Sequence, residues 1–314
     1  MAGKTVNVFE VGPRDGFQNE SRFVSLGTKI GFIEGLVAAG IRDLELGAFV
    51  RPDRVPQMSD TDAIFQAIRE KRLNLKSTRA WSLVPNRKGL ERAIAAGAKH
   101  IAVFTAASET FVKKNIRMSI QESLDEFAPL VKDARKAGMT VRGYISTAFG
   151  CPFEGKIAPK KVLKVVQALA KMGVSQISLG DTIGVASPRG VTEVVKPTFR
   201  LLGVKKTAVH FHDTRGTALA NTLRSLDIGV RTVDSSAGGL GGCPFAPGAS
   251  GNLATEDLVF MLEDMGMDTG IQLEKLAQVS LNLAQKMGRP LSSRYLQARA
   301  SSVGVNLSEV RGVM

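Results

Sequence analysis

Apolar strand-like runs alternate with amphipathic helical stretches throughout this 314-residue chain, and that alternation restricts the fold more than any single motif does. The runs are Val6–Val11, Asp43–Phe49, Lys76–Leu83, Ile101–Thr105, Thr140–Thr147, Gln176–Gly180, Thr207–Asp213 and Thr232–Ala237. Helical patterns separate them at Thr28–Ala39, Thr61–Glu70, Arg87–Ala96, Ile120–Ala137, Pro159–Met172, Pro188–Leu202 and Thr217–Leu226. Several close on a glycine stop, as at Ala39-Gly40 and Met172-Gly173, where the left-handed conformation costs glycine nothing. Strand followed by helix, eight times over, predicts a (β/α)8 TIM barrel, an α/β fold. A doubly wound open sheet is the competitor, but it ordinarily turns around a glycine-rich nucleotide loop. Leu253–Met265 reads as the eighth helix and Ile271–Met287 as a helical extension. The expected organisation is one catalytic barrel domain over residues 1–314, with the barrel at about 5–265 and a C-terminal helical extension at about 268–314.

Composition narrows the setting. Cys151 and Cys243 are the only cysteines, which argues against a disulfide scaffold and fits a reducing cytoplasm. No apolar run is long enough for a transmembrane helix, and the first residues lack the pattern of a signal or transit peptide. The net charge of +13 attracts anionic ligands. Nucleic acid is one such class, but the cations are dispersed, aromatics make up 6% and Trp81 is the sole tryptophan, so base-stacking material is scarce. The charge reads as a solubilising surface or as attraction for an anionic substrate such as a coenzyme A ester. Neither a nucleic acid nor a membrane is expected as a partner.

Two of the three histidines stand in Ala208-Val209-His210-Phe211-His212-Asp213. On a strand, residues i and i+2 project from one face, about 6–7 Å apart. Two imidazoles so placed can share one divalent metal ion. Spacing alone equally allows a polar strand face with two hydrogen-bonded histidines. Other strand ends add weight, because barrel chemistry sits at the carboxyl ends of the strands. Strand one runs into Gly12-Pro13-Arg14-Asp15-Gly16-Phe17-Gln18-Asn19-Glu20, strand two carries Glu45, and after strand eight come Gly238 to Pro244 and then Gly251-Asn252. A carboxylate, two imidazoles and an amide oxygen are the parts of a divalent-cation site.

Val11-Gly-Pro-Arg-Asp-Gly-Phe-Gln-Asn-Glu20, Leu179-Gly-Asp-Thr-Ile-Gly-Val185, His210-Phe-His-Asp-Thr214 and the stretch from Gly238-Gly-Leu-Gly-Gly-Cys-Pro244 to Asp257 resemble the 3-hydroxy-3-methylglutaryl-CoA lyases, members of the DRE-TIM metallolyases. The resemblance covers about residues 6–270 and includes Val55 to Met58, Ala107 to Glu109, Lys113 to Asn115 and Gly150 to Gly155. The glycine-cysteine loop is its most specific element. The implied reaction is a retro-Claisen cleavage to acetyl-CoA and acetoacetate, assisted by a divalent cation, Mg²⁺ or Mn²⁺. Asp15, His210, His212 and Asn252 are the implied ligands.

The same resemblance implies a catalytic set of Arg14, Cys243, Asp15, His210 and Glu45. Arg14 would face the thioester oxygen where enolate charge develops, although pairing with Glu45 or Asp15 is its structural alternative. Cys243, on a loop rich in glycine, would carry a proton to the enolate carbon. Glu45 would orient the ligand shell, and Asp181 and Thr182 could do similar work. Arg14, Gln18, Lys113 and Asn115 are the expected substrate contacts, the coenzyme being part of the acyl-CoA substrate. His100, at the start of strand four, reads as structural. A homodimer is expected.

Two departures stand out. Gly47-Ala48 replaces the small hydroxyl residues usual after the strand-two glutamate, and Arg215 stands where many relatives carry tyrosine. The first leaves open a lyase for a related 3-hydroxy-3-alkylglutaryl-CoA. A condensing or aldol-type enzyme of the same superfamily is a further alternative, disfavoured by the glycine-cysteine loop.

Overall fold

Eight parallel strands close into a barrel whose neighbours follow the order β1-β10-β9-β8-β5-β4-β3-β2 and back to β1. A computed structural model describes residues 5–242 and 251–302. The barrel strands are β1 (Asn7–Glu10), β2 (Asp43–Ala48), β3 (Arg79–Leu83), β4 (His100–Ala106), β5 (Thr140–Ser146), β8 (Gln176–Asp181), β9 (Thr207–Phe211) and β10 (Thr232–Ser235). Between β5 and β8, the short strands β6 (Gly150–Cys151) and β7 (Gly155–Lys156) form an antiparallel hairpin. The expected (β/α)8 barrel is the observed one.

The outer layer comprises α1 (Leu26–Ala38), α2 (Thr61–Arg69), α3 (Arg87–Ala95), α4 (Glu109–Ile116), α5 (Ile120–Lys136), α6 (Pro159–Met172), α7 (Pro188–Leu202), α8 (Ala218–Ile228) and α9 (Thr255–Asp264), followed by α10 (Leu273–Met287) and α11 (Arg294–Ser302). Local chemistry sets their ends. Ser119 caps α5 in a reciprocal box with Glu122, satisfying two otherwise orphaned N–H groups. Gly173 ends α6 at φ +84°, a conformation penalised for any residue with a Cβ. Gly35 in α1 serves a different purpose. A Cβ there would stand 2.7 Å from the Val279 side chain, so the glycine lets α1 and α10 approach closely.

Some boundaries differ from the sequence pattern. β3 starts at Arg79 rather than Lys76, because Asn74 Oδ1 accepts the Lys76 N–H and Lys76 turns at φ +51°. Helix α4 was not anticipated, and α11 falls within the expected C-terminal extension without having been singled out as an element. Both are short and polar, so their apolar periodicity is weak. Ser108 caps the first through the Phe111 N–H, while Asp257 accepts the N–H groups of Arg294 and Tyr295 at the start of the second.

Parallel strands deliver all their carboxyl ends to one mouth. β2 and β9 are buried along their whole length, as expected of strands covered on both sides by barrel interior and helices. No helix among the described residues is long and apolar enough to cross a membrane.

Candidate metal centre and active site

The loop after β1 winds into one π-helical turn, Gly12–Gly16. In it the N–H groups of Arg14, Asp15 and Gly16 all point at the Val11 carbonyl, at 3.1, 2.8 and 3.2 Å. Such turns are frequent at functional sites. This one brings the Asp15 carboxylate together with His210, at the end of β9, and His212 just beyond it. One ligand atom from each of the three lies within 4.8 Å of the other two.

Asn252 joins them through an isolated bridge to His212. Its Nδ2 donates to Asp15 Oδ2 at 2.8 Å and to the Leu240 carbonyl at 3.0 Å, which fixes the amide orientation. That leaves Asn252 Oδ1 buried with no hydrogen-bond partner among the described residues, and His212 Nδ1 is in the same condition. Orphaned buried polar atoms are rare and call for an explanation. Here two of them flank a carboxylate and a second imidazole. This donor set fits a divalent cation, and the four expected ligands are the residues assembled.

Electrostatics agree. Burial alone would raise the Asp15 carboxyl, but the Arg14 guanidinium and, after it, His210 and His212 hold it at about 2. Burial, with His210 beside it, lowers His212 to about 4, so its imidazole is neutral at physiological pH, as a metal ligand must be. Burial also acts to lower His210, but contact with Asp234 outweighs it and the net shift is upward.

Arg14 sits beside this cluster, 6% exposed. Its Nε donates to Glu45 Oε2 and its Nη1 to Asp15 Oδ1, both at 2.6 Å. Both ion pairs are therefore made, and the guanidinium still lines the central cavity. No hydrogen bond from Nη2 is formed among the described residues. Glu45 reaches it through a register shift between Glu45 and Gly47 in β2, a bulge of the kind that re-aims side chains near active sites. Burial raises the Glu45 carboxyl against the pull of Arg14, and its Oε1 has no hydrogen-bond partner among the described residues.

A cavity of about 470 Å³ opens above the cluster. Arg14, Asp15, His210 and His212 form its polar floor, with Gln18 and Asn115 on the walls and Val50, Leu83, Phe104 and Phe111 as an apolar side. Lys113 is exposed on α4 and is not among the lining residues, whereas Arg51 and Arg54, which the sequence did not single out, are. Cys243 lies outside the described residues. Gly242, just before it, lines the cavity, and its carbonyl accepts from Asn19 Nδ2 at 2.9 Å. Volume alone does not select this site. A groove of about 900 Å³ on the outer wall, between α9 and α11, holds none of the metal-cluster residues.

The remaining candidates have local duties. Asp181, raised to about 6 by burial, accepts the Val185 and Ala186 N–H groups and so holds its own turn. Thr182 lines the cavity while its hydroxyl accepts the Thr147 N–H. His100 lies at the amino-terminal end of β4, its ring 4.9 Å from that of Trp81. Cys151 is buried against Ser108 Oγ at 3.0 Å. Arg215 donates to the carbonyls of Ile183 and Gly184, a role tyrosine could not fill in the same way.

Sequence reasoning missed Arg142, Tyr144 and Asp234 inside the barrel. Arg142 and Asp234 are fully or almost fully buried and paired at 2.5 Å, and the Tyr144 hydroxyl donates to Glu45 Oε2 at 3.2 Å. The signal available was a charged residue within an otherwise apolar strand, as in Val141-Arg142-Gly143-Tyr144-Ile145.

A (β/α)8 barrel with a carboxylate–imidazole cluster and a buried guanidinium at its carboxyl mouth defines a metal-dependent barrel enzyme. More specifically, the chain belongs to the HMGL-like family, which matches residues 5–282. It is 49% identical over 295 residues to the mitochondrial hydroxymethylglutaryl-CoA lyase of Pongo abelii, covering 94% of this chain and 90% of that one. Identity to the hydroxymethylglutaryl-CoA lyase of Pseudomonas mevalonii is 46% over 291 residues, covering 93% and 95%. The crystal structure of the Bacillus subtilis HMG-CoA lyase superposes with a TM-score of 0.91 at 44% identity, covering 95% of this chain and 99% of that one.

Proposed function

We propose that the chain is a hydroxymethylglutaryl-CoA lyase that cleaves 3-hydroxy-3-methylglutaryl-CoA to acetyl-CoA and acetoacetate. The observation that carries this reading is the convergence of Asp15, His210 and His212 beside a buried Arg14 in a chain this similar to such lyases.

Asp15, His210, His212 and Asn252 are the residues that would hold the cation, for which Mg²⁺ or Mn²⁺ suits the oxygen-containing donor set. When bound, such an ion supplies Lewis acidity that makes a substrate hydroxyl easier to deprotonate. In the reaction the C3 hydroxyl gives its proton to water, from which the group that later protonates C2 is restored, and the C2–C3 bond breaks. The bonding pair leaves on C2 as a thioester enolate, and C3 becomes the ketone of acetoacetate. Protonation of C2 completes acetyl-CoA.

Arg14 meets the developing enolate charge. Glu45 and Asp15 hold its Nε and Nη1, so the guanidinium is fixed before substrate arrives and needs no reorganisation during the step. Glu45 acts by orienting it. Gln18 and Asn115 contact the acyl-CoA from the cavity walls. Cys243 is the proton donor to C2 in this reading, supported by its place directly after the cavity-lining Gly242. Homodimerisation and a cytoplasmic location belong to the same reading. They rest on the frequency of dimers among soluble oligomers and on the chain's sparse cysteines.

The test is chelator-stripped protein mixed with 3-hydroxy-3-methylglutaryl-CoA, with and without Mg²⁺ or Mn²⁺, followed by quantification of both products. Metal-restored cleavage that disappears in Cys243→Ala is the expected result. Metal binding without cleavage would redirect the assignment to another acyl chain.

A further inference from the structure

A continuous chain of buried polar contacts runs beneath the site. From His210 Nδ1 it passes to Asp234 Oδ2 at 3.3 Å, and from Asp234 to Arg142 at 2.5 and 3.2 Å. Arg142 Nη1 donates to the Tyr144 hydroxyl at 3.0 Å, which leads through Glu45 and Arg14 to Asp15. Two of the expected metal ligands, His210 and Asp15, are thus the two ends of one chain.

Arg142 and Asp234 are 0% and 1% exposed, and neither lines the central cavity. Apolar residues usually fill a barrel interior, and replacing a buried ion pair by apolar groups is often neutral or stabilising. A pair placed here therefore needs another reason. Its geometry supplies one. Asp234 accepts from Arg142 through both carboxylate oxygens and from Ser178 Oγ at 2.8 Å. The Arg142 guanidinium also stacks 3.8 Å from the Phe9 ring centroid. With its orientation fixed by Arg142 and Ser178, the Asp234 carboxylate turns Oδ2 toward His210 Nδ1, 3.3 Å away.

We propose that Asp234, clamped by Arg142 and Ser178, is a positioning residue that keeps the His210 proton on Nδ1 and presents the Nε2 lone pair to the cation. His210 Nε2 lies on the Asp15 side, 4.0 Å from Oδ2. Imidazole ligands commonly need such a partner, and its loss typically weakens metal binding about 10–100-fold. The proposal rests on the metal reading above and extends it to residues outside the cavity.

The chain has only three histidines, so selective ¹⁵N-histidine labelling of the Mg²⁺-loaded protein gives a readable spectrum, assigned with single His→Gln variants. The expected spectrum has the His210 proton on Nδ1. A proton on Nε2 would overturn the proposal, whatever the variants do. In parallel, Mn²⁺ titration followed by paramagnetic resonance is expected to show about 10–100-fold weaker binding in Asp234→Asn than in wild type.

Asp43→Asn is the structural control, because Asp43 is an equally buried partner of Arg79 at the opposite end of the barrel. It should lose thermal stability and keep the wild-type Mn²⁺ affinity. Equal weakening in both variants, or none in Asp234→Asn, would reduce Asp234 to a structural ion pair. His212→Ala separates the two readings. If it binds Mn²⁺ like wild type, the metal centre itself is wrong; if it loses Mn²⁺ while Asp234→Asn does not, only the positioning role fails.

Discussion

The Thr61 hydroxyl fills the space a side chain on Gly47 would need, since a Cβ there would stand 2.5 Å from Thr61 Oγ1. That hydroxyl accepts the Ala48 N–H at 3.1 Å and donates to the Met58 carbonyl at 2.8 Å, all of it buried. Gly47 therefore faces α2, and neither it nor Ala48 lines the cavity. The glycine half of that departure thus lies on the helix side of the strand, away from the cavity.

Gly47→Ser is accordingly expected to overpack this contact, costing about 1–3 kcal/mol of stability without a change in acyl specificity. Thermal unfolding and kcat/KM for 3-hydroxy-3-methylglutaryl-CoA against longer 3-alkyl analogues would check it. A serine variant with altered acyl preference would place the specificity determinant back on β2.

Replacing Arg14 should act on the chemical step. Arg14→Lys keeps a charge but loses the rigid planar fork that pairs Glu45 and Asp15 in fixed directions and aims a further donor into the cavity. A fall of about 10²–10³ in kcat with little change in KM is expected, the size typical of losing one donor to a developing oxyanion. Steady-state kinetics with metal saturating decide it, and a change confined to KM would contradict the assignment.

Cation binding should register as stability. At about 100 times its Kd, a ligand that binds only the folded state adds about 2.7 kcal/mol. Mn²⁺ is expected to raise the melting temperature of the chelator-stripped protein, and Asp15→Asn should shrink that shift. An equal shift in the variant would locate the ion elsewhere.

Two carboxyls that never meet the cavity set a pH dependence. Burial raises Glu256 from 4.5 to about 8, partly offset by its bonds to Ser280 Oγ and the Gly238 N–H, and raises Glu10 to about 7. Their folded values exceed their unfolded ones, so the folded state holds more protons between pH 4.5 and 8. Stability from these groups is fully present below about pH 4.5 and is lost as pH rises through 7 to 8. Glu256→Gln, which mimics the neutral form, should therefore melt closer to wild type at pH 5 and at a higher relative temperature at pH 9. Melting curves at the two pH values check the sign.

Much of the fold was legible because its signals are local. Alternation of strand and helix, capping serines and glycine stops each act within a few residues, and they place the elements of the barrel to within a turn. The His-x-His spacing belongs with them: a period of two puts both imidazoles on one face wherever the strand goes. The sequence also held the parts of the candidate cation site, once parallel strands were expected to share a mouth.

Tertiary structure alone decided which of those parts touch. Arg142 and Asp234 are 92 residues apart and meet only because β5 and β10 face one another across the closed barrel. Lys113 and Arg51 are equally basic in sequence, yet the path of α4 leaves the first outside the cavity, and the loop after β2 brings the second to its wall. The side of β2 that Gly47 occupies was invisible too, because a one-residue bulge after Glu45 resets the alternation. Periodicity is a property of neighbours along the chain. Contacts across a barrel depend on closure and register, which no short stretch of sequence encodes.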